Sequence, residues 1–209
     1  MTYAVPIQRG RARVERPAVP TGKFAPEPIL AADEYENILS IIKNMVRVME
    51  QSPHAFEDMG EEDLRTHFLV QLNAQYEGQA TGETFNFQGK TDILIRAEGR
   101  NVFVAECKFW KGEKELHNAV DQLLSYLSWR DTKTALLVFN RNAAFTEVLK
   151  KIELAVPTHK HFKRNLGKAD ESTFRYVFGQ PNDSNRELCL TVLAFDVPRK
   201  TSSAGQRRS

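Results

Sequence analysis

Lys90–Trp110, KTDILIRAEGRNVFVAECKFW, is the stretch that sets the fold. Two apolar runs, Asp92 to Ala97 and Asn101 to Phe109, flank a Glu-Gly-Arg turn, the pattern of a β-hairpin. Side chains alternate faces along a strand, so Glu106 and Lys108 are expected beside Val102 and Val104. Phe103, Ala105, Cys107 and Phe109 then point the other way. Apolar residues on both faces predict a central strand. A carboxylate and an ammonium there are costly to desolvate unless they meet each other, a metal or a charged ligand.

The register matters, because directly opposed residues share a face. A two-residue loop at Gly99 and Arg100 would set Asp92 across from Cys107, on the wrong side for Glu106. An odd-length loop or a bulge, with Gly99 left-handed, brings Asp92 opposite Glu106 or Lys108 and clusters two carboxylates with one amine.

An Asp at the start of one strand and Glu-x-Lys at the end of the next resembles the PD-(D/E)xK nucleases, the restriction-endonuclease-like superfamily. Thr91 stands where that pattern has its Pro. The resemblance implies magnesium, with manganese able to substitute, held by Asp92, Glu106 and the backbone carbonyl of Cys107, and Lys108 near the attacking water. Phosphodiester hydrolysis independently calls for such a set: a hard cation on one or two carboxylates, and a compact positive charge for hydroxide or the pentavalent phosphate. The bland alternative is a strand-end ion pair between Glu106 and Lys108 on a solvated face.

Upstream, Leu64, Phe68 and Leu72 predict a helix over about 61–75 with Glu61 inside its buried stripe, Glu62 on the flank, and Asp63 and His67 facing away. In the family resembled, a helix before the hairpin often carries a Glu four positions ahead of an Arg. Glu61 and Arg65 match that, which makes Glu61 a candidate metal ligand and Glu62 its alternate. All three acids would also favour a helix N-terminus. Downstream, a helix over about 113–129 has a core stripe of Leu116, Val120, Leu123, Leu124 and Leu127, with Gln122 and Tyr126 together on another face. Gln-x-x-x-Tyr after Glu-x-Lys is similar to one branch of the superfamily, where this helix borders the active site. Gln122 is therefore a catalytic candidate. Tyr126, Lys90, Lys111 and Lys114 are the expected nucleic-acid contacts.

Farther out, Ala31 to Gln51 predicts an amphipathic helix with a broad apolar face, Tyr35, Ile38, Ile42, Met45 and Met49 at its centre, either packed on the core or forming a homodimer contact through 31–51. Glu83 to Phe87 reads as the first strand and the hairpin's neighbour. Thr134 to Asn140 reads as a buried strand, followed by a helix from Ala143 to Ala155; strand, helix, strand implies a parallel crossover. Thr173 to Gly179 and Glu187 to Val197 read as a second hairpin around PNDSN. The segment THKHFKRN, 158–165, reads as a basic solvated loop. Lys160, Lys163 and Arg164 are candidate phosphate contacts there, and the spacing of His159, His161 and Cys189 fits no compact zinc module.

The 209 residues suit one domain with extensions, 41% hydrophobic. Net charge +2 divides unevenly: residues 1–26 carry five basic and one acidic residue, and 198–209 carry four basic and none, which leaves −6 for 27–197. The basic ends could touch nucleic acid or only keep the chain soluble. The expected organisation is a disordered lead-in over 1–29, an amphipathic helix over 30–56, a nuclease-like domain over 57–197 and a disordered basic tail over 198–209. Two separated cysteines in apolar runs indicate a reducing cytoplasm, no run is long enough to span a membrane, and an Arg-rich start broken by prolines opposes a transit peptide. The expected fold class is α/β, a central mixed β-sheet flanked by helices with a restriction-endonuclease-like core. The expected function is a metal-dependent endonuclease acting on DNA rather than RNA; the alternative is an inactive nuclease-fold module for nucleic-acid binding or assembly.

Overall fold

The computed structural model describes residues 10, 13–15, 29–76, 80–81, 84–86, 89–97, 100–142 and 144–197. In chain order the elements are β1 (Val14–Glu15), β2 (Ile29–Leu30), α1 (Ala32–Gln51), α2 (Pro53–Phe56), α3 (Glu61–Gln75), β3 (Ala80–Thr81), β4 (Thr84–Asn86), β5 (Gly89–Thr91), β6 (Ile93–Ala97) and β7 (Arg100–Phe109). These are followed by α4 (Glu113–Tyr126), β8 (Lys133–Asn140), α5 (Phe145–Ala155), β9 (Phe162–Asp170), β10 (Thr173–Gln180) and β11 (Asp183–Asp196), with a 3-10 turn at Val156–Thr158 before β9. Among the described residues the main sheet runs β3-β6-β7-β8-β11-β10-β9. The hairpin β6–β7 is antiparallel, α4 carries the chain over to β8 parallel to β7, and β11 lies parallel to β8. The fold is α/β with a mixed open sheet between two helical layers.

Strand alternation divides the core. Ile93, Ile95, Phe103, Ala105, Cys107, Leu137 and Phe139 face α1 and α3, while Leu94, Val104, Leu136 and Val138 face α4 and α5. The hairpin register shifts between Ile95, opposite Phe103, and Arg96, opposite Asn101. Val102 is the extra residue of this bulge. It packs with Phe103 on the α1 side instead of joining Val104 as plain alternation had it. Past the bulge Ile93 opposes Ala105, so the same register sets Asp92 across from Glu106. Residues 98 and 99, and with them the conformation expected of Gly99, lie outside the described set.

Several expectations are corrected. The strand beside β6 is Ala80–Thr81, tied to α3 by Asn73, whose amide accepts from the Ala80 N–H at 2.9 Å and donates to its carbonyl at 2.7 Å. Thr84–Asn86 pairs instead with Gly89–Thr91 as a separate ribbon. Helix α4 stops at Tyr126, short of Trp129, because the Asp131 carboxylate captures the Ser128 amide at 2.6 Å and turns the chain out. The second half of the basic loop, from Phe162, is the start of strand β9. Lysines and arginines along an exposed edge discourage pairing with a further strand. The lead-in is structured where described: β1 pairs with β2, and Arg13 bonds to Asp33 and Glu34. The 198–209 tail lies outside the described residues. Helix α1 buries Ile38, Leu39, Ile42, Met45, Val46 and Met49 on α3 and the sheet. The apolar face that suggested a homodimer is thus used inside the molecule. No described helix is long and apolar enough to cross a membrane.

Candidate active site

Strand β7 outlasts its partner. Beyond Ala105 no described residue pairs as a strand with the edge facing β6, and a central strand's amides need acceptors. Two carboxylates supply them. The Cys107 N–H donates to Asp92 Oδ2 at 2.8 Å, and the Phe109 N–H donates to Glu61 Oε1 at 2.8 Å. The N–H and C=O of one strand residue leave on the same edge, so the Cys107 carbonyl is aimed between these acids. Helix α3 fixes both: it carries Glu61 on its first turn, and Arg65, one turn on, donates from Nη1 to Asp92 Oδ1 at 2.9 Å. Glu62 is exposed, so Glu61 is the acid that reaches the hairpin.

On the α4 side of β7 lies Glu106, fully buried. Its Oε1 is 3.2 Å from Lys108 Nζ, in contact but outside hydrogen-bond geometry, and its Oε2 has no partner among the described residues. Lys108 is also 3.9 Å from Glu61 Oε2. Burial above all, then the Asp92 charge, pushes the Glu106 carboxyl up to about 8 despite the opposing pull of Lys108. For Lys108, burial acts to lower the ammonium, but Glu106, Glu61 and Asp92 together raise it. Burial raises the Tyr126 phenol as well, with Glu106 and Asp92 adding to it. This phenol accepts from Gln122 Nε2 at 2.8 Å.

The hairpin and its two helices thus bring together Asp92, Glu106, Cys107, Lys108 and Glu61, with Gln122 and Tyr126 bordering them. Lys111 and Lys114 are exposed at the start of α4, and the side chain of Lys90 lies outside the described residues. Lys160 and Arg164 are engaged by Asp121 at 3.0 Å and Glu187 at 2.7 Å. His159 and His161 stand together beside Asp121, away from Cys189, which borders Tyr35 and Thr191. The part played by Arg65 in fixing Asp92 had no signal beyond its spacing from Glu61.

Two carboxylates, one strand carbonyl and waters match the donor set of a hard divalent cation, and the unmet oxygen of Glu106 is the acceptor such an ion would satisfy. Among the described residues no three His, Cys, Asp or Glu side chains form a metal-holding group. Set against protein-family models, curated proteins and solved structures, the chain matches none.

Proposed function

We propose that this chain is a metal-dependent nuclease of the PD-(D/E)xK kind, hydrolysing phosphodiester bonds in nucleic acid, DNA rather than RNA, in the cytoplasm. The observation that carries the reading is Glu106. A buried carboxylate with an unpaired oxygen, beside a second carboxylate and a lysine, is unfavourable unless a ligand completes it. Asp92, Glu106 and the Cys107 carbonyl would hold magnesium or manganese, which when bound polarises the phosphate and makes its water more acidic. Lys108 places a localised positive charge beside the two acids, where it stabilises hydroxide or the charge that develops on phosphate. Glu61 holds the strand end through the Phe109 amide and steadies Lys108, and Arg65 sets the rotamer of Asp92. Gln122, hydrogen-bonded to Tyr126, lines the approach from α4.

A non-catalytic module of the same fold is the second reading. It draws on Asp92 and Glu61, whose oxygens already serve backbone amides and so have a structural use. Plasmid, linear duplex and single-stranded substrates incubated with magnesium, manganese or chelator separate the two. Cleavage is expected with metal only. Asp92→Asn, Glu106→Gln and Lys108→Ala should each lower it by about a hundredfold or more, the scale for removing one group that stabilises developing charge, while circular dichroism stays native. A folded, metal-supplied wild type that leaves every substrate intact favours the module.

A further inference from the structure

Strands β7, β8 and β11 run parallel and end at one edge of the sheet. Phe109 pairs with Phe139, and the Trp110 N–H donates to the Phe139 carbonyl at 2.8 Å. Val197, just past β11, donates its N–H to the Asn140 carbonyl at 3.0 Å. In open α/β sheets a ligand sits outside such carboxyl ends, and here Glu106 and Lys108 stand at the end of β7. Neighbouring strands lie about 4.8 Å apart. Val197 therefore leaves the sheet two strands, about 10 Å, from Phe109.

The opposite end of the sheet holds the start of the chain. Lys133, at the first position of β8, donates to the Leu30 carbonyl, and the Ala31 N–H donates to the Arg13 carbonyl at 3.1 Å. The Gly10 N–H meets the Gln75 carbonyl at 2.9 Å, at the last residue of α3, whose first residue is Glu61. Of the two basic stretches, only residues 198–209 continue from the end that carries the candidate site.

Charge gives that placement a use. Residues 27–197 sum to −6, and such a body repels a phosphate polymer unless cations meet it. Around the site Glu62, Glu113, Glu115 and Asp196 are exposed, against Lys111 and Lys114. Arg65 is engaged by Asp92, Lys108 stands among the acids, and Arg141 donates to the Phe56 carbonyl at 3.0 Å. Past Val197 follow Arg199, Lys200, Arg207 and Arg208, with no acid in residues 198–209. At no more than about 3.6 Å per residue, Arg199 and Lys200 stay within about 11 Å of Val197, beside the site.

We propose that residues 198–209 are the phosphate-binding arm of the candidate site, with Arg199, Lys200, Arg207 and Arg208 pairing with the backbone of a nucleic-acid strand that lies across Glu106 and Lys108. The inference rests on the reading of that site as one for nucleic acid. Phosphate contacts position a strand and carry no sequence information. The arm thus supplies affinity that depends on salt and not on base order.

The test uses the full chain. Anisotropy of a labelled DNA duplex is followed in chelator at about 50 and 200 mM salt, where counterion release makes affinity fall with a log–log slope of about 0.9 per phosphate neutralised. Arg199→Gln, Lys200→Gln, Arg207→Gln and Arg208→Gln together should lower that slope by about 3 and weaken binding about tenfold or more at the lower salt. Arg9→Gln, Arg11→Gln and Lys23→Gln together, a similar loss of charge from the basic stretch at the other end, should stay within about twofold of wild type. Melting curves verify that both variants fold. With magnesium, the arm variant should cleave poorly at low DNA and recover as DNA is raised, the sign of lost ground-state binding. Equal affinity and slope for wild type and the arm variant overturn the inference. So does an equal loss in the two variants, which makes the amount of charge matter and not its place. Tighter binding by the arm variant overturns it as well, since the arm then covers the site acids in place of DNA. Cleavage that persists at unchanged KM in these cases leaves the nuclease reading standing. Arm-dependent binding with no cleavage under any metal keeps the arm and overturns the nuclease reading instead.

Discussion

Glu106 carries an energetic signature that separates a ligand site from an ordinary ion pair. Its folded carboxyl is held at about 8 against an ordinary 4.5, because burial and Asp92 disfavour its charge. The folded chain keeps this proton while the unfolded chain has released it. The contribution is therefore fully present below about pH 4.5 and lost as pH rises through 8. In chelator at pH 8, Glu106→Gln should accordingly melt above wild type, and at pH 4.5 no higher. A stabilising strand-end pair gives the opposite at pH 8, since Lys108 then loses its nearer carboxylate and keeps only the longer contact to Glu61 at 3.9 Å. Magnesium or manganese must displace the same proton, so the thermal shift it confers on wild type should grow from pH 6 to pH 8 and vanish in Glu106→Gln. Melting curves at three pH values, with and without metal, read all of this.

Among the elements, α1 turns the sheet face into a core, and one hydroxyl anchors it. Tyr35 Oη lies 2.8 Å from the Thr134 carbonyl and 2.7 Å from Thr191 Oγ1, bridging β8 and β11 in a buried setting. Tyr35→Phe takes this hydroxyl from both the Thr134 carbonyl and the Thr191 hydroxyl and should cost about 1–3 kcal/mol in urea unfolding. Val48→Ser, on the exposed side of the same helix, should stay within about 0.5 kcal/mol of wild type. Elements with long apolar periods, α1, α3, β8 and the β10–β11 hairpin, were legible in the sequence because burial imposes the period. The bulge was legible as a need, since only a shifted register lets Asp92 meet Glu106. Others were not, β3 and β9 among them. Ala80–Thr81 is too short to show alternation and depends on Asn73, while β9 is an exposed edge whose lysines and arginines look like a loop. At the site, helix periodicity found Glu61 and strand parity found Glu106. Neither could reveal that Asp92 and Glu61 cap the amides of an overhanging strand, which depends on where β6 stops.

At the scale of the whole molecule, Glu106 on one flank of α4 is opposed by His159 on the other. Burial pulls the His159 imidazole down to about 4 against an ordinary 6.5; His117, His161 and Lys160 assist, and only Asp121, 3.3 Å away, resists. Its contribution is present above pH 6.5 and lost as pH falls through 4, because the unfolded chain takes the proton first. Between the two pKa values of each group the slope is one proton, about 1.4 kcal/mol per pH unit. The windows overlap from pH 4.5 to 6.5, where the Glu106 loss and the His159 gain oppose each other with equal slope. In metal-free wild type these two contributions should therefore cancel over that range, and from 6.5 to 8 only the Glu106 loss remains of the two. The variants expose each half. Relative to wild type, Glu106→Gln should gain stability steadily up to pH 8, and His159→Gln should remove the acid-side loss so that stability falls continuously from 4.5 to 8. Urea unfolding free energies across pH 4 to 9 in chelator measure these differences, in which the other titrating groups cancel. If both variants run parallel to wild type, neither residue is buried with its charge suppressed, and the metal argument built on Glu106 fails with it.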